Sequence, residues 1–271
     1  MENEKLEQKA KKLRLDAVKM VYEGEDGHPG PALSIADIVA TLYFDVMRLD
    51  PENADWEDRD RFILSKGHAC PVYYAALADK GYFGGENIRL RALGSKFQGH
   101  PVMNKTPGVD MTSGSLGNGI AIGAGMAIAA KYRKKDFRTF VIVGDGEMQE
   151  GICWEGIGAA AAHKLDNLYV FVDNNGWQSG GTVTEISGAP NIAKQFESFA
   201  WDVQEIDGHD IGAIKAGIQK AAGKKGQPHA IICKTIKGKG LSFMENDNTW
   251  HKRVPTKEEL EIARKELAGG V

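Results

Sequence analysis

Cysteine is scarce in this chain of 271 residues: Cys70, Cys153 and Cys233 are widely separated and odd in number. No CxxC pair and no Cys/His zinc spacing occurs. A disulfide-stapled scaffold and a zinc module are therefore excluded, and a reduced, cytoplasmic setting is favoured. Long hydrophobic runs are missing too. The most apolar stretch, Ile120 to Ala130, is Gly-rich and falls well short of the roughly 20 residues that span a bilayer. The first twenty residues, MENEKLEQKAKKLRLDAVKM, are too charged for the apolar centre of a signal peptide. Nor is there a charge bias: 34 basic and 37 acidic residues leave a formal net charge of −3. Neither nucleic acid nor an anionic membrane is an expected partner. The basic runs Lys9–Arg14 and Lys131–Lys135 read as solvated helix faces or ends. Internal repeats, low-complexity segments and a Walker GK[ST] sequence are also absent.

What is present is an ordinary globular composition, 42% hydrophobic and 26% charged. It can bury one substantial core, read as a single domain over residues 1–271. Leu6 to Tyr22 carries apolar positions at helical spacing and should stop near Gly24. A Gly/Pro loop, GEDGHPGPA, follows, and a second amphipathic helix is expected from Ser34 to Met47. Asp55 to Arg61 reads as an acidic loop leading into a short apolar run, RFILS, and the loop SKGHAC. Arg138–Val143 (RTFVIV) and Leu168–Val172 (LYVFV) are apolar throughout, as strands buried on both faces are. Glu150–Lys164 between them is Ala-rich and long enough for a crossover helix, giving a βαβ unit with parallel strands and a right-handed connection. A helix over 211–222 and another buried strand over 229–236 follow. Thr256 and Glu259 form a capping-box pair for a last helix, ending at Gly269-Gly270. The expected class is α/β, a central, mainly parallel sheet with helices on both faces.

The chemistry sits at the ends of the two central strands. Gly144-Asp145-Gly146 closes the first, and Asp173-Asn174-Asn175 closes the second. Open parallel sheets bind ligands at this carboxyl edge, and the glycines flanking Asp145 allow a sharp turn and close backbone approach. A carboxylate and a carboxamide suit a hard divalent cation, Mg²⁺ or Ca²⁺, whose remaining positions go to carbonyls, water and ligand oxygens. Four histidines, His28, His68, His100 and His251, lie in loops. His28 and His100 stand between glycine and proline, on rigid loops suited to handling protons near neutral pH. His163 and His229 border regular elements and read as structural; His209 carries no assignment.

GDG, 27 residues and then NN resembles the diphosphate–metal motif of thiamine diphosphate enzymes. GHPGPALS, DRFILSKGHA, GHPVMNKTPGVDMTSGSLGNGIAIGAGMA, GDGEMQEGICWE and VDNNGWQSGG resemble, in order and over nearly the whole chain, the amino-terminal domain of transketolases. The likeness is strongest to the split form, in which this domain is a separate subunit. The resemblance implies a diphosphate-type thiamine diphosphate-binding domain. In it Asp145, Asn175 and the Trp177 carbonyl hold the metal. His68, Gly146 and Lys237 or Lys239 meet the diphosphate, and Gly114-Ser115-Leu116 lies against the aminopyrimidine. His28, His100 and His251 line the substrate channel and handle hydroxyl protons on the ketose, and Glu150 lies beside the subunit interface. Two positions depart from full-length members: Lys237 replaces an apolar residue, and His251 is followed by Lys252 rather than glycine. Nothing in the sequence supplies a pyrimidine-binding domain, so a carboxy-terminal partner subunit is expected, with two copies of each chain. The alternatives are a 1-deoxyxylulose-5-phosphate synthase or 2-oxo acid dehydrogenase component, or a non-catalytic metal- or nucleotide-binding module.

Overall fold

The β-branched and aromatic runs at the centre of the sequence form neighbouring buried strands. The computed structural model describes residues 1–84, 88–188 and 191–268. Its strands are β1 (Arg61–Leu64), β2 (Thr139–Gly144), β3 (Leu168–Asn174), β4 (Trp177–Gln178), β5 (Gly181–Thr182), β6 (Asp202–Asp207) and β7 (His229–Lys234). The helices are α1 (Asn3–Glu23), α2 (Pro29–Leu33), α3 (Ala36–Thr41), α4 (Cys70–Lys80), α5 (Asn118–Tyr132), α6 (Gly151–Ala162), α7 (Val183–Ser187), α8 (Ile192–Ser198), α9 (Ile211–Ala222) and α10 (Lys257–Ala268). Five strands make one parallel sheet in the order β1-β2-β3-β7-β6, while β4 and β5 pair as a small antiparallel ribbon.

Successive strand residues point to opposite faces, and each face has its own core. Phe140, Ile142, Tyr169 and Phe171 pack with residues of α1, α3, α4, α9 and α10. Val141, Val143, Val170 and Val172 pack with α5, α6 and α8. This double burial explains why the central strands read as unbroken apolar runs rather than alternating ones. Among the described residues, no helix is long and apolar enough to cross a membrane.

The structure alters several expectations. The GEDGHPGPA loop contains α2, because Pro29 takes the first helical position, where its missing N–H costs nothing. The segment from Ser34 to Met47 is not one amphipathic helix. It restarts at Ala36, widens into a π-helical turn over Leu42–Val46, and is buried on every side through Tyr43. RFILS supplies an edge strand, β1, while α4 and β6 were not expected. The capping box is present: Glu259 N–H donates to Thr256 Oγ1 at 3.2 Å and Thr256 N–H to the Glu259 carboxylate at 2.8 Å. The expected stop at Gly269-Gly270 lies outside the described residues.

The basic run at Lys9–Arg14 is not wholly solvated either. Arg14 is buried on the inner face of α1 and grips both carboxylate oxygens of Asp37 on α3. Asp37 also accepts from His209 Nδ1 at 2.7 Å, and His209 Nε2 accepts the Ile236 N–H at 2.8 Å. Burial alone would raise the Asp37 pKa; Arg14 and His209 hold it below the ordinary carboxylate value. The chain Arg14–Asp37–His209 thus fixes the backbone one residue before Lys237. Removing one partner of a buried charge pair leaves the other uncompensated. Asp37→Ala should therefore destabilise the fold by about 3–5 kcal/mol, measured by urea unfolding; a loss below about 1 kcal/mol would mean the pair is replaced by water.

Candidate active site

Parallel register places Gly144 opposite Asp173, so the turns after β2 and β3 emerge together at the carboxyl edge. Asp145 is only 3% exposed. Its Oδ1 accepts from Gly146 N–H at 2.8 Å and its Oδ2 from Gly176 N–H at 2.5 Å. Burial, followed by the neighbouring Asp173 carboxylate, pushes its pKa up to about 7. Asp173 has no exposure but far better company. It accepts from Lys66 Nζ, from Thr235 Oγ1, from Ser34 Oγ at 2.7 Å and from Asn175 Nδ2 at 2.9 Å. Burial would raise it, yet the Lys66 ammonium and these donors hold it below the ordinary value. Two carboxylates share one cation, and the cation sits on Asp173.

Above this floor lies a cavity of about 570 Å³. Asp145, Gly146, Asn175, Trp177, Lys237, His68, Gly114 and Leu116 all line it, with His28, His100, His251 and Glu150. Of the residues singled out by sequence, Ser115 is exposed and does not contribute to the lining. Between the two lysines left open by the sequence, Lys237 is the one that enters. Its Nζ donates to Asn248 Oδ1 at 2.6 Å and lies 3.1 Å from His251 Nδ1. Burial, then repulsion from Lys66, lowers it to about 8. Lys239 lines a separate crevice and pairs with Glu245 at 3.3 Å.

The imidazoles converge from distant segments. Ring centroids of His28, His68 and His251 lie 5.2, 5.3 and 5.5 Å apart. Gly30 makes this possible, since a Cβ there would stand 2.7 Å from the Trp250 carbonyl oxygen. Without a side chain α2 packs directly on the turn carrying His251. Burial, then Lys252, His100 and Arg91, brings the His28 pKa down to about 4 against the opposing pull of Asp26. Burial, then Lys237, brings His251 to about 3. Burial and Lys66 push His68 down as well, and burial and Arg91 lower His100. These rings are neutral at physiological pH. His28 Nδ1 is buried with no hydrogen-bond partner.

His209 and His229 are structural: His229, without exposure, lies 3.1 Å from Asp202 through Nδ1. His163 is an exposed residue at the end of α6. Sequence reading missed Glu147, Lys66 and Asp173. Glu147 accepts from Ser65 Oγ, from Gly117 N–H at 2.8 Å and from Gly144 N–H at 3.0 Å. One buried carboxylate thereby ties together the loops bearing His68, Gly114–Leu116 and Asp145. The available signal was position alone, with Glu147 following GDG, Asp173 preceding NN and Lys66 two residues before His68.

The residues present fit a metal and a diphosphate. Asp145 is a buried carboxylate whose hydrogen bonds come from two backbone N–H groups and which has no ion-pair partner in contact, the setting a divalent cation would complete. The Asn175 amide is oriented for that task, its Nδ2 held by Asp173 while its Oδ1 accepts the Trp177 N–H at 2.9 Å. Lys66 and Lys237 put two ammonium groups into one cavity, which an anionic ligand would relieve.

Comparison with known proteins agrees with this geometry. The family described as the transketolase, thiamine diphosphate binding domain matches residues 5–269. An apulose-4-phosphate transketolase subunit of Phocaeicola vulgatus is 38% identical over 269 residues, covering 99% of this chain and 95% of that protein. The 6-deoxy-6-sulfo-D-fructose transketolase subunit SqwG of Clostridium sp. is 41% identical over 242 residues, covering 89% and 88%. The structure of transketolase from Campylobacter jejuni superposes with a TM-score of 0.93 at 32% identity, covering 99% of this chain and 43% of that one. The chain thus spans about two fifths of the full-length transketolases it resembles in structure. A matched domain over residues 5–269 and relatives aligned along almost their entire length establish the lineage: this chain belongs to the transketolase family, as its thiamine diphosphate-binding domain.

Proposed function

We propose that the chain is the amino-terminal subunit of a two-chain transketolase. It would move a two-carbon ketol unit from a ketose phosphate to an aldose phosphate. The observation that carries this reading is the single cavity in which a buried, uncompensated carboxylate and two ammonium groups lie beneath neutral imidazoles. A divalent cation, Mg²⁺ or its hard-oxygen analogue Ca²⁺, would be held by Asp145, Asn175 Oδ1 and the Trp177 carbonyl. His68, Gly146 and Lys237 would bind the diphosphate, and the Gly114-Ser115-Leu116 turn would lie against the aminopyrimidine. When bound, thiamine diphosphate supplies the electron sink for breaking the bond beside a ketose carbonyl.

The chain's own residues do the rest. His28, His100 and His251 accept and return hydroxyl protons, and their neutral state leaves a lone pair free to do so. The fixed cavity orients the sugar and excludes water. Glu150, exposed at the start of α6 and on the cavity rim, would couple protons to a carboxylate on the partner chain. That such a partner exists is supported by relatives whose own names call them subunits. We read residues 1–271 as one domain of an assembly with two copies of each chain. Three buried, free cysteines fit a cytoplasmic setting.

The activity test pairs the chain with its partner subunit, thiamine diphosphate and Mg²⁺, and offers a ketose phosphate donor or pyruvate with an aldose phosphate acceptor. Ketol transfer from the sugar donor is expected; reaction with pyruvate alone would overturn the reading in favour of a synthase or 2-oxo acid dehydrogenase component.

Proton handling by neutral imidazoles makes a second prediction. With folded pKa values near 4 for His28 and 3 for His251, against about 6.5 unfolded, the unfolded chain binds more protons between these limits. Stability should therefore fall as pH drops from 6.5 towards 4 and be unaffected by these groups above 6.5. Ring proton resonances of His28 and His251 should stay flat from pH 8 to pH 5; a titration midpoint near 6.5 for either would contradict the buried, neutral assignment.

A further inference from the structure

Lys237 reaches the cavity from a short segment, residues 235–238, that leaves β7 and crosses the carboxyl edge of the sheet. The segment is pinned along its length. Thr235 N–H donates to the Asn174 carbonyl at 3.3 Å, and Thr235 Oγ1 donates to Asp173. The Lys237 carbonyl accepts from Asn246 N–H at 2.9 Å, and Gly238 N–H donates to the Gly30 carbonyl at 3.1 Å. Ile236 is held differently: its N–H donates to a side chain, Nε2 of His209, at 2.8 Å.

His209 lies outside the cavity. It stands on the turn between β6 and α9 and faces a separate crevice of about 480 Å³, together with Thr235, Ile236 and Lys239. Gly208 brings that turn against the strand exit, since a Cβ there would meet Thr235 Cγ2 at 2.5 Å and Cys233 Cβ at 2.9 Å. Gly208 N–H donates to the Lys234 carbonyl at 2.8 Å and His209 N–H to Asp207 Oδ1 at 2.8 Å, so the ring springs from a fixed backbone. Its hydrogen bonds define its tautomer. A ring nitrogen that accepts an amide N–H carries no proton, so Nε2 is bare. The ring proton is on Nδ1 and is donated to Asp37 Oδ2 at 2.7 Å, while Asp37 is itself held by Arg14. With a donor at Nδ1 and an acceptor at Nε2, the ring is a strut between α3 and the backbone beside Lys237.

Resting on the reading of Lys237 as a diphosphate ligand, we propose that His209, in its Nδ1–H tautomer, is a positioning residue for the cofactor's diphosphate. It sets the Ile236 peptide and through it the direction in which Lys237 enters the cavity. The lysine ammonium rides on a flexible four-carbon stem, so its aim depends on where the backbone places the start of that stem. A swing of the peptide is carried to Nζ and to its partners Asn248 and His251. Without the strut the ammonium keeps its charge and loses its pre-organisation, and affinity for the anion falls.

His209→Asn retains a donor near the Nδ1 position and drops the acceptor. His209→Gln places an amide oxygen near the Nε2 position and drops the link to Asp37. In the complex assembled with the partner chain and Mg²⁺, calorimetry should show thiamine diphosphate binding weakened about tenfold in His209→Asn and near wild type in His209→Gln. Lys237→Met should weaken binding too, and adding His209→Asn to it should cost little more, because both act through one ammonium. A merely structural role gives equal losses in the two histidine variants, or losses that add to Lys237→Met. Either result, or wild-type affinity in His209→Asn or Lys237→Met, would overturn the proposal. The expected binding pattern without ketol transfer by wild type would end the activity reading and leave the strut standing. The tautomer is checked without any substitution, by nitrogen spectra of the wild-type chain carrying isotope-labelled histidine. His209 should be protonated at Nδ1 and bare at Nε2; a proton on Nε2 would sink the proposal even where the variants fail to assemble.

Discussion

Two carboxylates at the ends of adjacent strands, with one ammonium paired to only one of them, set the character of this molecule. Parallel pairing of β2 and β3 forces Asp145 and Asp173 to emerge side by side. Burial makes it costly to leave both charged. Lys66 resolves half of the problem by pairing with Asp173, whose second task is to hold the Asn175 amide. The remaining charge, on Asp145, is an open valence at the centre of the cavity. A divalent cation would close it, and a diphosphate would answer the two lysines in turn.

The same balance of charge governs the histidines. Burial, and after it the charges of Lys66, Lys237, Arg91 and Lys252, keeps them neutral. A neutral ring can take a hydroxyl proton, whereas an imidazolium cannot. Their approach to one another depends on backbone, because α2 can reach the His251 turn only where Gly30 carries no side chain.

The sheet was legible because burial on both faces leaves an unmistakable apolar run, as in TFVIVG and LYVFVDN. The GDG and NN ends were legible because they close those runs. What escaped notice shares a physical cause. Glu147, Asp173 and Lys66 are charged residues that each take a partner 30 or more positions away in sequence, and burial of a charge is decided by tertiary pairing that no local pattern records. The helix expected over Ser34–Met47 failed for a related reason. An element enclosed on all sides has no polar face to set its period, and the break at Ile35 lets Ser34 reach Asp173. Arg14, read as part of a solvated run, is buried because Asp37 waits for it on α3.

Everything at the site turns on Asp145 as its open valence. The direct measurement is calorimetry of thiamine diphosphate with and without Mg²⁺, on wild type and Asp145→Ala assembled with the partner chain, alongside thermal unfolding of each. Wild type should bind the cofactor in a strongly Mg²⁺-dependent manner. Asp145→Ala should remain folded, with a thermal midpoint no lower than wild type because an uncompensated buried charge has gone, and should lose the Mg²⁺ dependence. Cofactor binding in Asp145→Ala with the affinity and metal dependence of wild type would contradict the central claim.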